Sequence, residues 1–580
     1  MDLCQRTVEE VVHPTAAFLH QPPGNGEPLP HAIEACQPTW DQSLLNPKNR
    51  IDSLDLPDDP LWRIDGCTGL GTQYYAVPVC LRHVPPMRMD VFIPENQPAR
   101  IREQLDLHQA FHTKDAARLS KLAITRHIVR ILQAWTKSAF HDLVSFERFY
   151  RTRPFGSRLV FENLSLSIHQ TNVIVGPNHN LELQLLSLST LTGLWGADFP
   201  LPPTVDIFDL HVVSVLHDSV CLVRVAGQLF IFKALVSEVK YLYHELKTLC
   251  TLEPHPNVIA RPVHLVRKTC SFGGKYAVVG FTTFYHGHGS LRDVLPQLRI
   301  HGRLQREDQY KWSIQVTRAL DHLRGRSSIY YPDLRLDNLV LSDDRDLVMV
   351  DFEQRGVWCE FAAPEVNAIE YMRLIATDGR VPDEVVMKYH DILTDLVPEY
   401  EDLQRDRYTN PKEGYNVPWI ALTPDEQEAA EVYMLGRLLW CIFEGVSGPQ
   451  KAAVWQSYRW ESDLEFPDYN RTPPPLRDLI DRCTRGRRPN LGSMIVRQQS
   501  HLFLRHRPRK DQEPHHVQAA AAAYWLQELR WAEGFLSQRS RLKKEGLWKD
   551  NYYDRPRLGE VLDVLTTIQG QSIRELARAF

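Results

Sequence analysis

Between Tyr330 and Gly356 the chain reads YYPDLRLDNLVLSDDRDLVMVDFEQRG, and this stretch restricts the possible folds more than any other. Two apolar runs, Leu339–Leu341 and Leu347–Val350, flank Ser-Asp-Asp-Arg-Asp, a composition that favours a turn. Read as a hairpin, the stretch sets the start of its first strand beside the end of its second. Asn338 precedes the first strand and Asp351 follows the second, so a short-range fold brings an amide and a carboxylate together. Both offer hard oxygen ligands, suited to a Mg²⁺ ion that also carries water and phosphate oxygens. Asp333, in the loop before Asn338, is placed to accept a proton from an attacking hydroxyl. Arg335 between them can offset charge on a transferring phosphoryl group. Taken singly, each of these residues is more often an ordinary turn or cap residue.

A second pattern upstream changes that balance. Lys233 interrupts the apolar strand QLFIFKAL, where a lone lysine is usually an edge or surface residue. The following helix has an apolar stripe through Val239, Leu242, Leu246 and Leu249. Glu245 lies three residues after Leu242 and four before Leu249, on the buried side of that stripe. A carboxylate facing a core needs a cation, and Lys233 on the preceding strand is the obvious partner. Such a pair would hold the lysine where it can touch two phosphates.

The order of these features resembles the eukaryotic protein-kinase family over about residues 205–580, and more narrowly divergent kinase-like proteins of filamentous fungi. Lys233 matches the family's strand lysine and Glu245 its helix glutamate. YPDLRLDN matches the catalytic loop, Asp351-Phe352-Glu353 the Asp-Phe-Gly element and Ala363-Pro364-Glu365 the Ala-Pro-Glu element. EVYMLGRLLWCIFEG resembles the central helix of the large lobe, and Arg555 stands where the ion-pair partner of Glu365 belongs.

The resemblance implies an α+β, bilobal kinase-like fold: a small β-rich lobe over 205–285 and a large helical lobe over 286–580. It places insertions at 366–428 and 486–550. It implies ATP and Mg²⁺ as cofactors, Asp333 as catalytic aspartate with Arg335, Lys233 and Glu245, and Asn338 and Asp351 as metal ligands. Leu216, Val223, Thr283 and Tyr285 fall where the family contacts nucleotide. Arg335 stands where serine/threonine kinases carry lysine, so the implied reaction transfers the γ-phosphoryl group to a serine or threonine hydroxyl of a protein substrate.

Three departures keep other readings open. The phosphate-covering stretch, VLHDSVCLVRV, contains no glycine, so His217, Asp218 and Ser219 must form some other turn. Tyr331-Pro332 replaces His-Arg, removing the arginine that receives an activation-segment phosphate. Glu353 replaces glycine and either adds negative charge beside the metal or points outward. A pseudokinase scaffold is therefore the alternative to an active kinase. A small-molecule kinase ranks below both, because those relatives generally lack the Ala-Pro-Glu and arginine pair.

Upstream of the proline-rich DFPLPPTV, residues 61–197 contain enough apolar sequence for a separate N-terminal α+β domain, with a helix over 114–148 and strand-like RLVFENLSLSI and TNVIVG. Residues 1–60 are proline-rich and read as an irregular or mobile leader. Within the second insertion, Trp525, Leu529, Ala532 and Leu536 share one helix face. A net charge of −5 gives no reason to expect binding to nucleic acid or anionic membrane. No apolar run approaches the length of a bilayer span; LGRLLWCIFEG is about as long as any and is broken by Arg437. Ten dispersed cysteines without a Cys-x-x-Cys pair suit reduced thiols, and with them a cytoplasmic or nuclear location.

Overall fold

The computed structural model describes residues 10–19, 56–68, 71–94, 97–107, 116–450, 464–498, 501–508 and 512–579. Over these residues the chain is a mixed α+β protein with two larger sheets, two hairpins and a predominantly helical C-terminal half.

The first sheet has five strands in sequence order: β1 (Arg63–Cys67), β2 (Gln73–Val77), β3 (Asp90–Phe92), β4 (Arg158–Glu162) and β5 (Asn172–Gly176). Only β3 and β4 run parallel, and a helical crossover joins them. The crossover contains α1 (Ala123–Ala139) and α2 (Leu143–Thr152). Ile124, Ile128, Ile131 and Leu132 of α1 recur at helical spacing and are buried. Among the described residues the expected continuous helix over 114–148 is thus three: one turn at Ala116–Leu119, then α1, then the start of α2. Phe140 leaves the helix in an extended conformation, and Asp142 starts a new one by accepting from the Ser145 N–H.

After α3 (Leu188–Trp195) comes a six-stranded sheet of β6 (Thr204–Asp206), β7 (His211–Val215), β8 (Val220–Val225), β9 (Gln228–Lys233), β10 (His264–Thr269) and β11 (Tyr276–Phe284). Its order is β6-β10-β11-β9-β8-β7, antiparallel except for β6 on β10. Ala226 and Gly227 both have positive φ and close the β8–β9 hairpin tightly. Gly280 on β11 is required sterically, since a Cβ there would collide with the Lys233 carbonyl. Helix α4 (Val239–Thr251) leaves β9 and covers this sheet.

The two sheets touch across the proline-rich stretch at 200–203. The Arg63 guanidinium donates to the Val213 carbonyl (2.9 Å), and Asp65 accepts from the Val215 N–H (2.8 Å). Tyr243 of α4 accepts from the Leu186 N–H (2.7 Å) and donates to the Val278 carbonyl (2.8 Å).

The helical half contains α5 (Leu291–Ile300), α6 (Arg306–Ser327), the hairpin β12 (Leu339–Leu341) and β13 (Leu347–Met349), α7 (Pro364–Ala376), α8 (Asp383–Leu396), α9 (Pro424–Glu444), the hairpin β14 (Ile495–Gln498) and β15 (His501–Leu504), α10 (Pro514–Lys544) and α11 (Leu558–Ala579). Helix α9 is buried along almost its whole length, with Glu426, Glu431, Arg437 and Glu444 among its covered residues. Thr423 caps its start, and Gly445, at φ 69°, ends it. Trp525, Leu529, Ala532 and Leu536 of α10 are all buried, and Trp525 meets Tyr371 of α7 edge to face at 5.0 Å. Among the described residues no helix is long and apolar enough to cross a membrane.

Part of the leader departs from expectation. Residues 10–19 pack rather than remain irregular: Val11 and Ala16 are buried, Ala16–Leu19 makes one helical turn, and the Val11 carbonyl accepts from the Trp525 indole at 2.8 Å. The apolar cluster is too short to show periodicity, and its partner lies more than 500 residues away. The remainder of 1–55 lies outside the described residues.

Candidate active site

The β12–β13 hairpin fixes the first half of the site. Leu339 pairs with Met349, and the Val350 N–H donates to the Asn338 carbonyl at 2.9 Å, so the residues on either side of the turn meet. The Asn338 amide nitrogen donates to the Asp333 carbonyl (3.0 Å) and to Asp333 Oδ2 (2.9 Å), leaving its oxygen for another partner. Arg335 Nε donates to the same Asp333 oxygen at 3.0 Å, and its guanidinium stacks 4.3 Å over the Trp358 ring. Asp333 Oδ1 is buried and has no hydrogen-bond partner among the described residues. Burial, with the charge of Asp351, raises the Asp333 pKa above the ordinary carboxylate value against the pull of Arg335 and Asn338. One oxygen is therefore anchored while the other is free to take a proton.

The second half comes from the six-stranded sheet and α4. Lys233, the last residue of β9, places its ammonium 2.7 Å from Glu245 and 2.5 Å from Asp351. Asp351 is left-handed, at φ 65°, which turns the chain sharply after β13. Glu245 also accepts from the Phe352 N–H at 3.0 Å, tying α4 to the same turn. Burial acts to raise the Asp351 pKa, but Lys233 and the neighbouring arginines outweigh it and hold the carboxyl low. For Glu245 burial prevails, and the carboxyl is pushed up.

Glu353 points inward. Its carboxylate lies 3.2 Å from Lys233 and 2.6 Å from Arg355, with the side chain 6% exposed. Lys233 is thus surrounded by three carboxylates. Glu245, Asp351 and Glu353 each present an oxygen within 4.8 Å of the others, a hard donor set that fits a divalent cation such as Mg²⁺.

The residues expected to contact nucleotide divide in two. Leu216 and Tyr285 are exposed, whereas Val223 is fully covered by sheet packing and Thr283 is buried. In the glycine-free turn the His217 N–H donates to the Val220 carbonyl at 3.1 Å and the Val220 N–H returns to His217 at 3.3 Å. Arg88, preceding β3, donates to the carbonyls of His217 and Asp218, and the Asp218 carboxylate faces Arg355 at 3.9 Å. Sequence reasoning missed Arg88: its guanidinium also pairs with Asp90 at 2.8 Å, but its contacts to the 217 and 218 backbone carbonyls leave no mark in the sequence. It also left the direction of Glu353 open. Arg355, two residues on, was the available sign of an inward partner.

Tyr331 donates to the Val350 carbonyl and meets Phe352 edge to face at 5.1 Å. Farther from the site, Glu365 and Arg555 form a buried bidentate pair, at 2.5 and 3.1 Å.

His244, beside Glu245, has its pKa lowered from 6.5 to about 4, chiefly by burial and secondarily by Lys247. The unfolded chain therefore takes this proton first as pH falls. Stability is present in full above 6.5 and is lost progressively down to about 4, by roughly 3 kcal/mol in total. Urea denaturation at pH 7 and pH 5 should show a drop about 2 kcal/mol smaller for His244→Gln than for wild type. An equal drop in both proteins would remove His244 as the cause.

No protein-family model matches the chain, and no curated protein is significantly similar to it.

Proposed function

We propose that the chain is an ATP- and Mg²⁺-dependent protein kinase of the serine/threonine type, with residues 205–285 and 286–580 as the two lobes of a kinase-like catalytic unit. The observation that carries this reading is Asp333, whose Oδ2 is fixed by Asn338 and Arg335 while Oδ1 stays buried and unpartnered. That arrangement suits a base that orients a hydroxyl and accepts its proton, and the raised pKa improves its basicity. Asn338 and Asp351 would hold Mg²⁺, whose charge offsets that of the phosphates. Lys233, steered by Glu245, would bind phosphate oxygens, and Arg335 would offset charge near the attacked phosphorus.

The test is a titration of the full chain with ATP, with and without Mg²⁺, followed by transfer of labelled γ-phosphoryl to protein. Mg²⁺-dependent binding with transfer is expected. Failure of ATP to bind at millimolar concentration would end this reading.

A pseudokinase reading is favoured by one specific observation: Glu353 occupies Lys233 where phosphate would bind. Under that reading ATP binding is weak or absent in wild type, transfer is absent, and Glu353→Gly raises affinity without producing transfer.

A further inference from the structure

Helix α4 is charged on two opposite faces, and both are matched. Glu245 points inward to Lys233. Lys240 and Lys247, two turns apart, share the outward face. The segment between α8 and α9, a short helix (Tyr400–Gln404) followed by a loop, runs along that face and supplies an oxygen acceptor for each lysine. Lys240, itself buried, donates to the Leu403 carbonyl (2.8 Å) and the Arg405 carbonyl (2.9 Å). Lys247 donates to Asn410 Oδ1 at 2.7 Å, and the Asn410 amide nitrogen donates onward to the Leu194 carbonyl at 2.9 Å. Burying a lysine is costly unless its ammonium is satisfied, so this segment is specific to the helix it covers.

The segment is also joined to the turn that follows Asp351. The Tyr415 N–H donates to Gln354 Oε1 at 3.0 Å, and Asn416 donates to the Gly356 carbonyl at 2.9 Å. Gly414 lies at the junction. Its φ is 87°, and a Cβ there would overlap both the Gln354 side chain and the His244 ring. One segment therefore touches α4 one residue before Glu245 and the turn one residue after Glu353.

We propose that residues 400–416 are an internal brace that presses α4 inward and keeps Glu245 on Lys233 and on the Phe352 amide, so that the chain assembles this half of its site unaided. Lys240, Asn410 and Gly414 are then positioning residues. The inference takes its functional meaning from the kinase reading above, but the brace itself can be tested without nucleotide.

The experiment is hydrogen exchange on the full-length wild type, Gly414→Val and Asn410→Gly. Glycine at 410 removes the side chain while tolerating that position's φ of 57°. Gly414→Val is expected to speed exchange at least tenfold across α4 and at the Phe352 amide, and Asn410→Gly about threefold, with α6 and α9 unchanged. Protection of α4 and Phe352 within twofold of wild type in both variants would overturn the proposal. If Gly414→Val loosens the whole molecule, Asn410→Gly decides: selective loss in α4 supports the brace, and unchanged α4 refutes it. Because no ligand is present, a failure here is distinct from a failure of ATP to bind.

Discussion

In the Asp333→Ala protein, phosphoryl transfer should fall by about three orders of magnitude while ATP affinity stays within about twofold of wild type. The reason is geometric. Asp333 does not touch Lys233, and in the alanine variant Asn338 keeps its 3.0 Å bond to the backbone carbonyl of residue 333. Loss of the carboxylate removes the proton acceptor and leaves the cation side of the site in place. Single-turnover assays with labelled ATP, read beside a binding titration, separate the two quantities. Asp333→Asn should lose transfer to a similar degree with less structural disturbance, since the amide keeps the shape but cannot accept a proton. Equal background transfer from wild type and both variants would exclude Asp333 from chemistry and favour the scaffold reading.

Lys233→Met should lower stability by about 3–5 kcal/mol, measured by urea denaturation near pH 7.5, because it leaves a buried carboxylate cluster without its central cation. Glu245 and Glu353 are 2% and 6% exposed at the side chain, too enclosed for water to replace the ammonium. The sign of the pH response follows. Burial already raises the Glu245 pKa, and without Lys233 it rises further, so the folded variant binds protons more tightly than the unfolded chain. Lowering pH from about 7.5 to about 5 should therefore restore part of the variant's lost stability. A change below about 1 kcal/mol at neutral pH would mean that the three carboxylates separate freely, and the compact site described above would be wrong.

The parts of the site legible in sequence were those set by local periodicity. Leu242 and Leu249 located the buried face of α4, and that alone directed Glu245 toward Lys233. Two apolar runs around an Asp-rich turn gave the β12–β13 hairpin, and with it the meeting of Asn338 and Val350. Contacts to backbone oxygen were not legible. Arg88 reaches the 217–218 carbonyls although its one charged partner, Asp90, lies two residues away, and Lys240 sits on the 403 and 405 carbonyls, so no pattern of charges announces either contact. The same holds for β6, whose three residues are too few for alternation and pair in parallel with a strand about 60 positions later. The pairing of Glu365 with Arg555 came from the family likeness alone, since nothing local links residues 190 positions apart.

The contact between Val11 and Trp525 sets an order of events during synthesis. Val11 meets its indole only after the ribosome has added more than 500 further residues. A similar delay applies to Glu426, whose buried partner Arg539 emerges more than a hundred residues later. Residues 10–19 thus wait for α10 before reaching their final place, and removal of α10 would leave them without a seat.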